Sequence, residues 1–249
     1  MPAQPLQRNW ETWTAYFEHN AMHLLTIDWD DKYELTQAER SRITQSLQQF
    51  QLGESSEGKH TIAQAQRYVS SSGDESYLPA LRLFIKEEQR HAEYLGRFLQ
   101  QQRIALAHSH PVDSVFRILR RALNLELSIM AMLTAEIIAV PYYRAVYDAT
   151  NSPLLRQICR QLLRDEVHHL QFQLDALGKL AEKRSALGVA LTHFFHRVLF
   201  TGTVLIVWQQ HRSVLVNTDY TLRKFWRTNW QQFNLLFAKH SPLYQETTL

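Results

Sequence analysis

The sequence predicts an all-α protein, and three observations carry that expectation. Its 249 residues include only seven Gly and seven Pro, few for a β-rich fold of this length. Long segments repeat apolar residues three and four positions apart, as at Leu81, Phe84 and Ile85 or Leu119, Leu123 and Leu127. A Glu-x-x-His unit occurs twice, at Glu88–His91 and Glu166–His169, each within such a pattern, and residues three apart on a helix share a face. A hydrophobic content of 45% with 20% charged residues suits one large domain with a substantial core and argues against disorder.

Residues 8 to 25 carry Trp10, Trp13, Tyr16 and Phe17 and read as a preliminary helix on the outside of a bundle. His19 and His23 stand at i, i+4 without an evident third ligand and read as ordinary helix residues. Ile27 to Asp31 reads as a connecting loop. Thr36-Gln37-Ala38-Glu39 is a capping box that opens a long first bundle helix through Ile43, Leu47, Phe50, Ile62 and Val69. Gly53 and Gly58 within it mark a kink or a close approach of backbone. A second helix is expected from about Ser76 to Gln101. The crossover through Ile104 to Asp113 follows, with His108 and His110 as surface residues.

The third helix is expected over about 113 to 149 and contains Pro141. Ser152 as N-cap and Pro153 at the first helical position open the fourth, about 153 to 183. Residues 185 to 240 should form further helices, one of them the apolar segment 187 to 208, where His193 and His196 read as satisfied helix residues. From 211 to 240, Arg212, Arg223, Lys224, Arg227 and Lys239 oppose only Asp219, with Trp226, Trp230 and Phe233 interleaved. That pattern reads as an amphipathic helix with a basic outer face, although it could bind an acidic partner, anionic lipid or nucleic acid.

Bulk properties narrow the function classes. One cysteine, Cys159, permits no internal disulfide and suits a cytoplasmic location. Met1 to Arg8 has no apolar core followed by a cleavage site, so no signal peptide is expected. The run Val198 to Trp208 is too short to cross a bilayer, and no transmembrane segment is expected. A formal charge of +3 and a pI near 9.0 do not argue for nucleic acid.

Each motif has a carboxylate about thirty residues upstream, Glu57 before Glu88 and Glu136 before Glu166. In a helical hairpin two residues lie level only if the turn falls midway between them. Those midpoints are Ser72/Gly73 and Asn151, both in turn-forming stretches. Arms of about 15 residues span roughly 22 Å, so four carboxylates and two imidazoles could converge in mid-bundle. Glu54 competes with Glu57 from one turn earlier, and Asp165/His168 competes with Glu166/His169. The apolar positions Leu162, Leu163, Leu170 and Leu177 favour the second register. Glu136 within Met-Leu-Thr-Ala-Glu-Ile-Ile-Ala-Val needs a metal, a proton or a cation, because an unpaired buried carboxylate is costly. Glu126 reads as a cap or ion-pair residue, and Tyr143 shares the face of Glu136.

Over roughly residues 36 to 180 the pattern resembles the ferritin-like di-iron or di-manganese carboxylate proteins, in which two helices each give a Glu and two others each give Glu-x-x-His. The resemblance implies a single ferritin-like domain over 1–249: a four-helix bundle core at about 36–183, an extra N-terminal helix and extra C-terminal helices at about 185–240. It implies Glu57, Glu88, His91, Glu136, Glu166 and His169 as ligands of two iron ions, Mn/Fe or Mn/Mn being the variants. Glu87 and Asp165, each preceding a motif Glu, would orient ligand histidines, with Glu54 and Tyr143 also near the site. Glu87-Glu88-Gln89-Arg90-His91 looks like the oxygenase version of the motif.

The implied activity is an O2-activating oxidoreductase, a non-haem di-iron oxidase or oxygenase, acting on a small or aliphatic organic substrate with an electron donor. The extra helices would cover a substrate pocket or a homodimer face. A ferroxidase or iron-handling protein is one alternative. A ribonucleotide reductase small-subunit-like protein is another, but Leu95 stands where its radical Tyr follows the first motif His, Tyr94 is one step off, and Tyr143 is a weak substitute. A metal-free helical interaction module using the basic C-terminal segment is the third.

Overall fold

A computed structural model describes residues 9–55, 58–108, 124–182 and 184–237. Among these the chain forms helices and no strand. They are α1 (Trp10–Met22), α2 (Gln37–Glu54), α3 (Lys59–Ser72), α4 (Tyr77–Gln101), α5 (Leu125–Ala149), α6 (Pro153–Ala181), α7 (Ala186–Gln210), α8 (Arg212–Leu215) and α9 (Leu222–Phe237).

Local signals set several helix ends. Ser152 Oγ accepts from Leu155 N at 3.2 Å with Pro153 in the first turn. The capping box forms: Glu39 Oε2 accepts from Thr36 N at 2.8 Å, and Glu39 N donates to Thr36 Oγ1 at 3.3 Å. Glu39 Oε1 also accepts from Asn151 N at 2.7 Å and Thr150 Oγ1 at 3.1 Å, which ties the start of α2 to the α5–α6 turn. Burial alone would raise this carboxyl, but the donors from Asn151, Thr36 and Tyr33 hold it down to about 2.

The first bundle helix is not the single rod expected from its apolar spacing. It breaks after Glu54, with Ser55 as C-cap, and restarts at Lys59 from Gly58 in the left-handed region at φ 63°. A Cβ at Gly58 would lie 2.6 Å from Ile85 Cγ2, so the position requires glycine for both conformation and space. Gly58→Ala is therefore expected to destabilise the protein by about 1–3 kcal/mol. Urea unfolding checks this; an unchanged midpoint would contradict the assigned break.

The helices form a bundle. α2 packs on α4, α4 on α6, α6 on α5, and α5 back on α2 and α3, a closed ring of contacts. α5 is apolar nearly all round, so it is the buried centre, touching α2, α3, α6, α7, α8 and α9. Outside the ring, α1 lies on α4, fixed by an aromatic cluster of Trp10, Trp13, Phe17, Tyr77, Phe84 and Phe172. Trp13 Nε1 donates to Asp175 Oδ2 of α6 at 2.9 Å and locks its seat.

Two helices, Leu125–Ala149 and Ala186–Gln210, are long and apolar enough to cross a membrane by length and composition. In α5 that segment is 83% buried in the protein, but in α7 only 22%. This corrects the expectation that the apolar run beyond the bundle is too short to cross. His193, His196 and Arg197 do not end the helix: His196 turns inward, leaving the outer stripe of α7 to apolar residues.

Candidate metal centre

Glu88, His91, Glu166 and His169 each direct one ligand atom into a common space, all within 4.8 Å of one another. The three-residue spacing on α4 and on α6 does this, because the two helices face each other. His169 Nδ1 is 2.8 Å from Glu88 Oε1, and His91 Nδ1 is 3.6 Å from the same oxygen and 3.8 Å from Glu166 Oε1. Bonds of about 2.1 Å to one cation separate its ligand atoms by roughly 3–4 Å. This buried Glu/His group could hold a metal ion.

The outward nitrogens of both imidazoles are fixed by the carboxylates that precede the motif glutamates, each reaching across to the opposite helix. His91 Nε2 lies 3.1 Å from Asp165 Oδ2, and His169 Nε2 lies 3.0 Å from Glu87 Oε2. A carboxylate only accepts, so Nε2 carries a hydrogen in both rings and Nδ1 is the nitrogen turned inward. Burial pulls the His169 ring toward neutrality, but Glu87 and Glu88 outweigh it and hold its pKa well above the usual histidine range. Burial works against Asp165 and Glu87 as anions, yet hydrogen bonds and charge from the histidines leave both below the usual carboxylate range.

Neutral and cationic donors bracket those outer anions. Asn20 Nδ2 of α1 donates to Glu87 Oε1 at 2.7 Å and to Asp165 Oδ1 at 2.9 Å. Arg90 Nη2 lies 3.0 Å from Glu87 Oε1 and 3.1 Å from Asp165 Oδ2, and Gln161 Nε2 donates to Asp165 Oδ1 at 2.8 Å. Sequence reasoning missed all three. Arg90 had a signal, standing three residues after Glu87 on the same face. Asn20 had a fainter one, a polar residue continuing the buried stripe Trp13, Phe17.

The further acidic residues differ in placement. Glu136 projects from α5, buried, with Oε2 lacking any hydrogen-bond partner. Glu54, the last residue of α2, accepts from Tyr143 Oη at 2.6 Å and is hydrogen-bonded to Glu88. Glu57 lies outside the described residues, so the Glu54/Glu57 alternative stands with Glu54 seen beside Glu88 and Tyr143. Of the competing register, His168 is half-buried away from the cluster, its ring stacked on Tyr16 at 4.3 Å. Glu126 pairs with Arg184 at 2.9 Å. Leu95 is in the core and Tyr94 packs on Trp29.

Burial and mutual repulsion act on these carboxyls together. Glu54 is pushed up to about 7 by burial and by Glu88. Burial and neighbouring carboxylates hold Glu136 and Glu166 well above the carboxylate range, while Glu88 is kept below it by His169 and His91 against burial. Buried at the same place without hydrogen-bond partners are His91 Nδ1, Glu136 Oε2 and Glu166 Oε2, while Glu88 Oε1 and His169 Nδ1 meet only each other, at 2.8 Å. Unsatisfied acceptors in such a group call for a cation. Imidazole and carboxylate together suit iron, manganese or zinc better than magnesium.

Beside the cluster lies a cavity of about 190 Å³ between α2, α4, α5 and α7. Phe50, Ile85, Ala131, Met132, Ile138 and Val207 give it apolar walls, and Glu54, Glu88 and Glu136 form its acidic end. Exposed Gly53 and Ala135 border it.

Comparison of the chain with family models, with curated proteins and with solved structures gave no match.

Proposed function

We propose that this is a ferritin-like dimetal carboxylate protein that binds two iron ions and, with O2 and an external electron donor, oxidises a small or aliphatic organic molecule. The observation that carries this reading is the pair of inward-facing imidazole nitrogens among buried carboxylates, opening onto an apolar cavity. The ring of packing through α2, α4, α6 and α5, with short turns at 73–76 and 150–152, supports a ferritin-like bundle. The ligands are Glu88, His91, Glu136, Glu166 and His169, with Glu57 or Glu54 as the further carboxylate.

Bound redox ions supply electrons to O2 in such a site. The chain's own residues do the rest. Glu87 and Asp165 hold the imidazoles in one tautomer and orientation, and Arg90 and Asn20 keep those two anions in place. Tyr143 holds the Glu54 carboxyl in place by donating its hydroxyl hydrogen to it. The apolar walls keep water from the reacting end and select for hydrocarbon. An apolar cavity of this size favours an organic substrate over iron storage.

Anaerobic loading with ferrous iron followed by O2 tests the reading. Rapid O2 uptake with a transient absorption band is expected, and both should vanish in His91→Ala. Uptake no faster than that of free ferrous ion would contradict it, and mineral growth to many irons per chain would favour iron handling.

A further inference from the structure

We infer that the outer face of α7 is a docking surface for an anionic lipid bilayer, on which the protein lies without crossing. Leu187, Leu191, Phe194, Phe195, Val198 and Leu205 are all exposed, Leu187 by 71% and the two phenylalanines by 60% and 59%. Their spacing of four, three, one, three and seven residues places them on one stripe of a 25-residue helix. A monomeric soluble protein rarely leaves so continuous an apolar strip to water.

The opposite side of the same helix is already occupied. His196, Phe200, Thr203 and Val204 are buried, with His196 Nε2 3.0 Å from Thr134 Oγ1 of α5 and Phe200 packed on Phe233 of α9 at 4.5 Å. A helix so anchored cannot be surrounded by lipid without losing that packing. It can lie in the headgroup layer with its apolar stripe toward the acyl chains.

Charge identifies the occupant as lipid in preference to a second copy. Between residues 186 and 237 the charged residues are the exposed cations Arg197, Arg212, Arg223, Lys224 and Arg227 and a single acid, Asp219. In a symmetric dimer this basic surface would meet itself, whereas an anionic bilayer complements it. Arg197 lies over the ring of half-buried Trp230 at 4.8 Å, joining the stripe of α7 to the basic α9. Tryptophan and arginine beside an apolar stripe suit the membrane interface. The other side of α7 lines the cavity through Thr203 and Val207. An aliphatic substrate drawn from the bilayer is a consequence that rests on the dimetal reading; the docking does not.

The test is co-sedimentation of the full chain with vesicles of phosphatidylcholine alone or mixed with phosphatidylglycerol. Binding to the mixed vesicles is expected, weakened by salt. The exposed double substitution Phe194→Glu/Phe195→Glu should weaken it at least about tenfold with helical content and metal content unchanged. Arg223→Glu/Lys224→Glu should reduce the preference for anionic vesicles by about fivefold or more per charge. The proposal is overturned if the chain binds neither vesicle, if the phenylalanine variant binds like the parent, or if that variant instead dissociates a dimer that ignores vesicles. Metal retained by a variant that no longer binds lipid separates a failure here from a failure of the metal reading.

Discussion

Replacing His169 by alanine is expected to lower metal affinity by more than about a hundredfold while leaving the helical content intact. The imidazole supplies an inward nitrogen 2.8 Å from Glu88 Oε1, and it is the group that carries the Glu87 hydrogen bond into the site. Removing it takes away a ligand and the partner of a buried carboxylate at once. The neighbouring Glu87→Gln leaves every inward ligand atom present but replaces the anion that fixes the His169 tautomer, so a smaller loss of about ten- to a hundredfold is expected. Glu136→Ala should also release metal, because its carboxyl is buried beside Glu88, Glu54 and His169 with Oε2 lacking a hydrogen-bond partner. Metal titration monitored with circular dichroism checks all three. Wild-type affinity in His169→Ala or Glu136→Ala would contradict the ligand assignment. Equal losses in Glu87→Gln and His169→Ala would contradict the division between inner ligands and outer supports.

The second large effect is on stability as pH changes. In metal-free protein, Glu54, Glu136 and Glu166 have raised pKa values, Glu54 near 7, whereas an unfolded glutamate ionises near 4.3. The folded state therefore holds protons that the unfolded chain has released, and stability falls as pH rises above about 4.5. His169 acts in the same direction: its raised pKa contributes stability that is complete below about 6.5, the ordinary histidine value, and is lost as pH rises through the folded value. Glu39, Glu87, Glu88 and Asp165 are depressed and act oppositely, contributing stability that disappears on acidification below about pH 4.

A bound divalent ion reverses the first group by stabilising the ionised carboxylates and the inward imidazole lone pairs. The melting temperature of metal-free protein should therefore drop between pH 5 and 8, and the increase on adding metal should grow over the same range. At metal concentrations a hundredfold above Kd, linkage alone contributes about 2.7 kcal/mol. Differential scanning measurements at several pH values decide this, and a metal-induced increase that shrinks toward pH 8 would contradict the account.

The parts of the site built from local spacing were legible in the sequence. Three-residue separations on α4 and α6 are short enough that helix geometry fixes them, and the turns at Gly73 and Asn151 were marked by residues that stop and start helices. What depended on tertiary placement was not. The level expected for the first acidic residue rests on a continuous helix between Thr36 and the first turn, and the end of α2 at Glu54 removes that premise. Glu54 is then the last residue of a helix, where its chain can turn toward Tyr143 and Glu88. The support from Asn20 depends on where α1 docks, set by tryptophan and phenylalanine contacts some 65 to 160 residues away in the chain. The apolar segment at 187–208 was expected to cover a pocket or a homodimer face, and composition alone does not reveal that only one side of α7 is covered within the chain.

The most direct test is the number and kind of metal ions per chain in protein loaded anaerobically with iron, by elemental analysis alongside an anomalous-scattering crystal structure. The account predicts two ions, both ligated from Glu88, His91, Glu136, Glu166 and His169. A chain that stays empty on reconstitution, or that holds a single ion away from these residues, would contradict it.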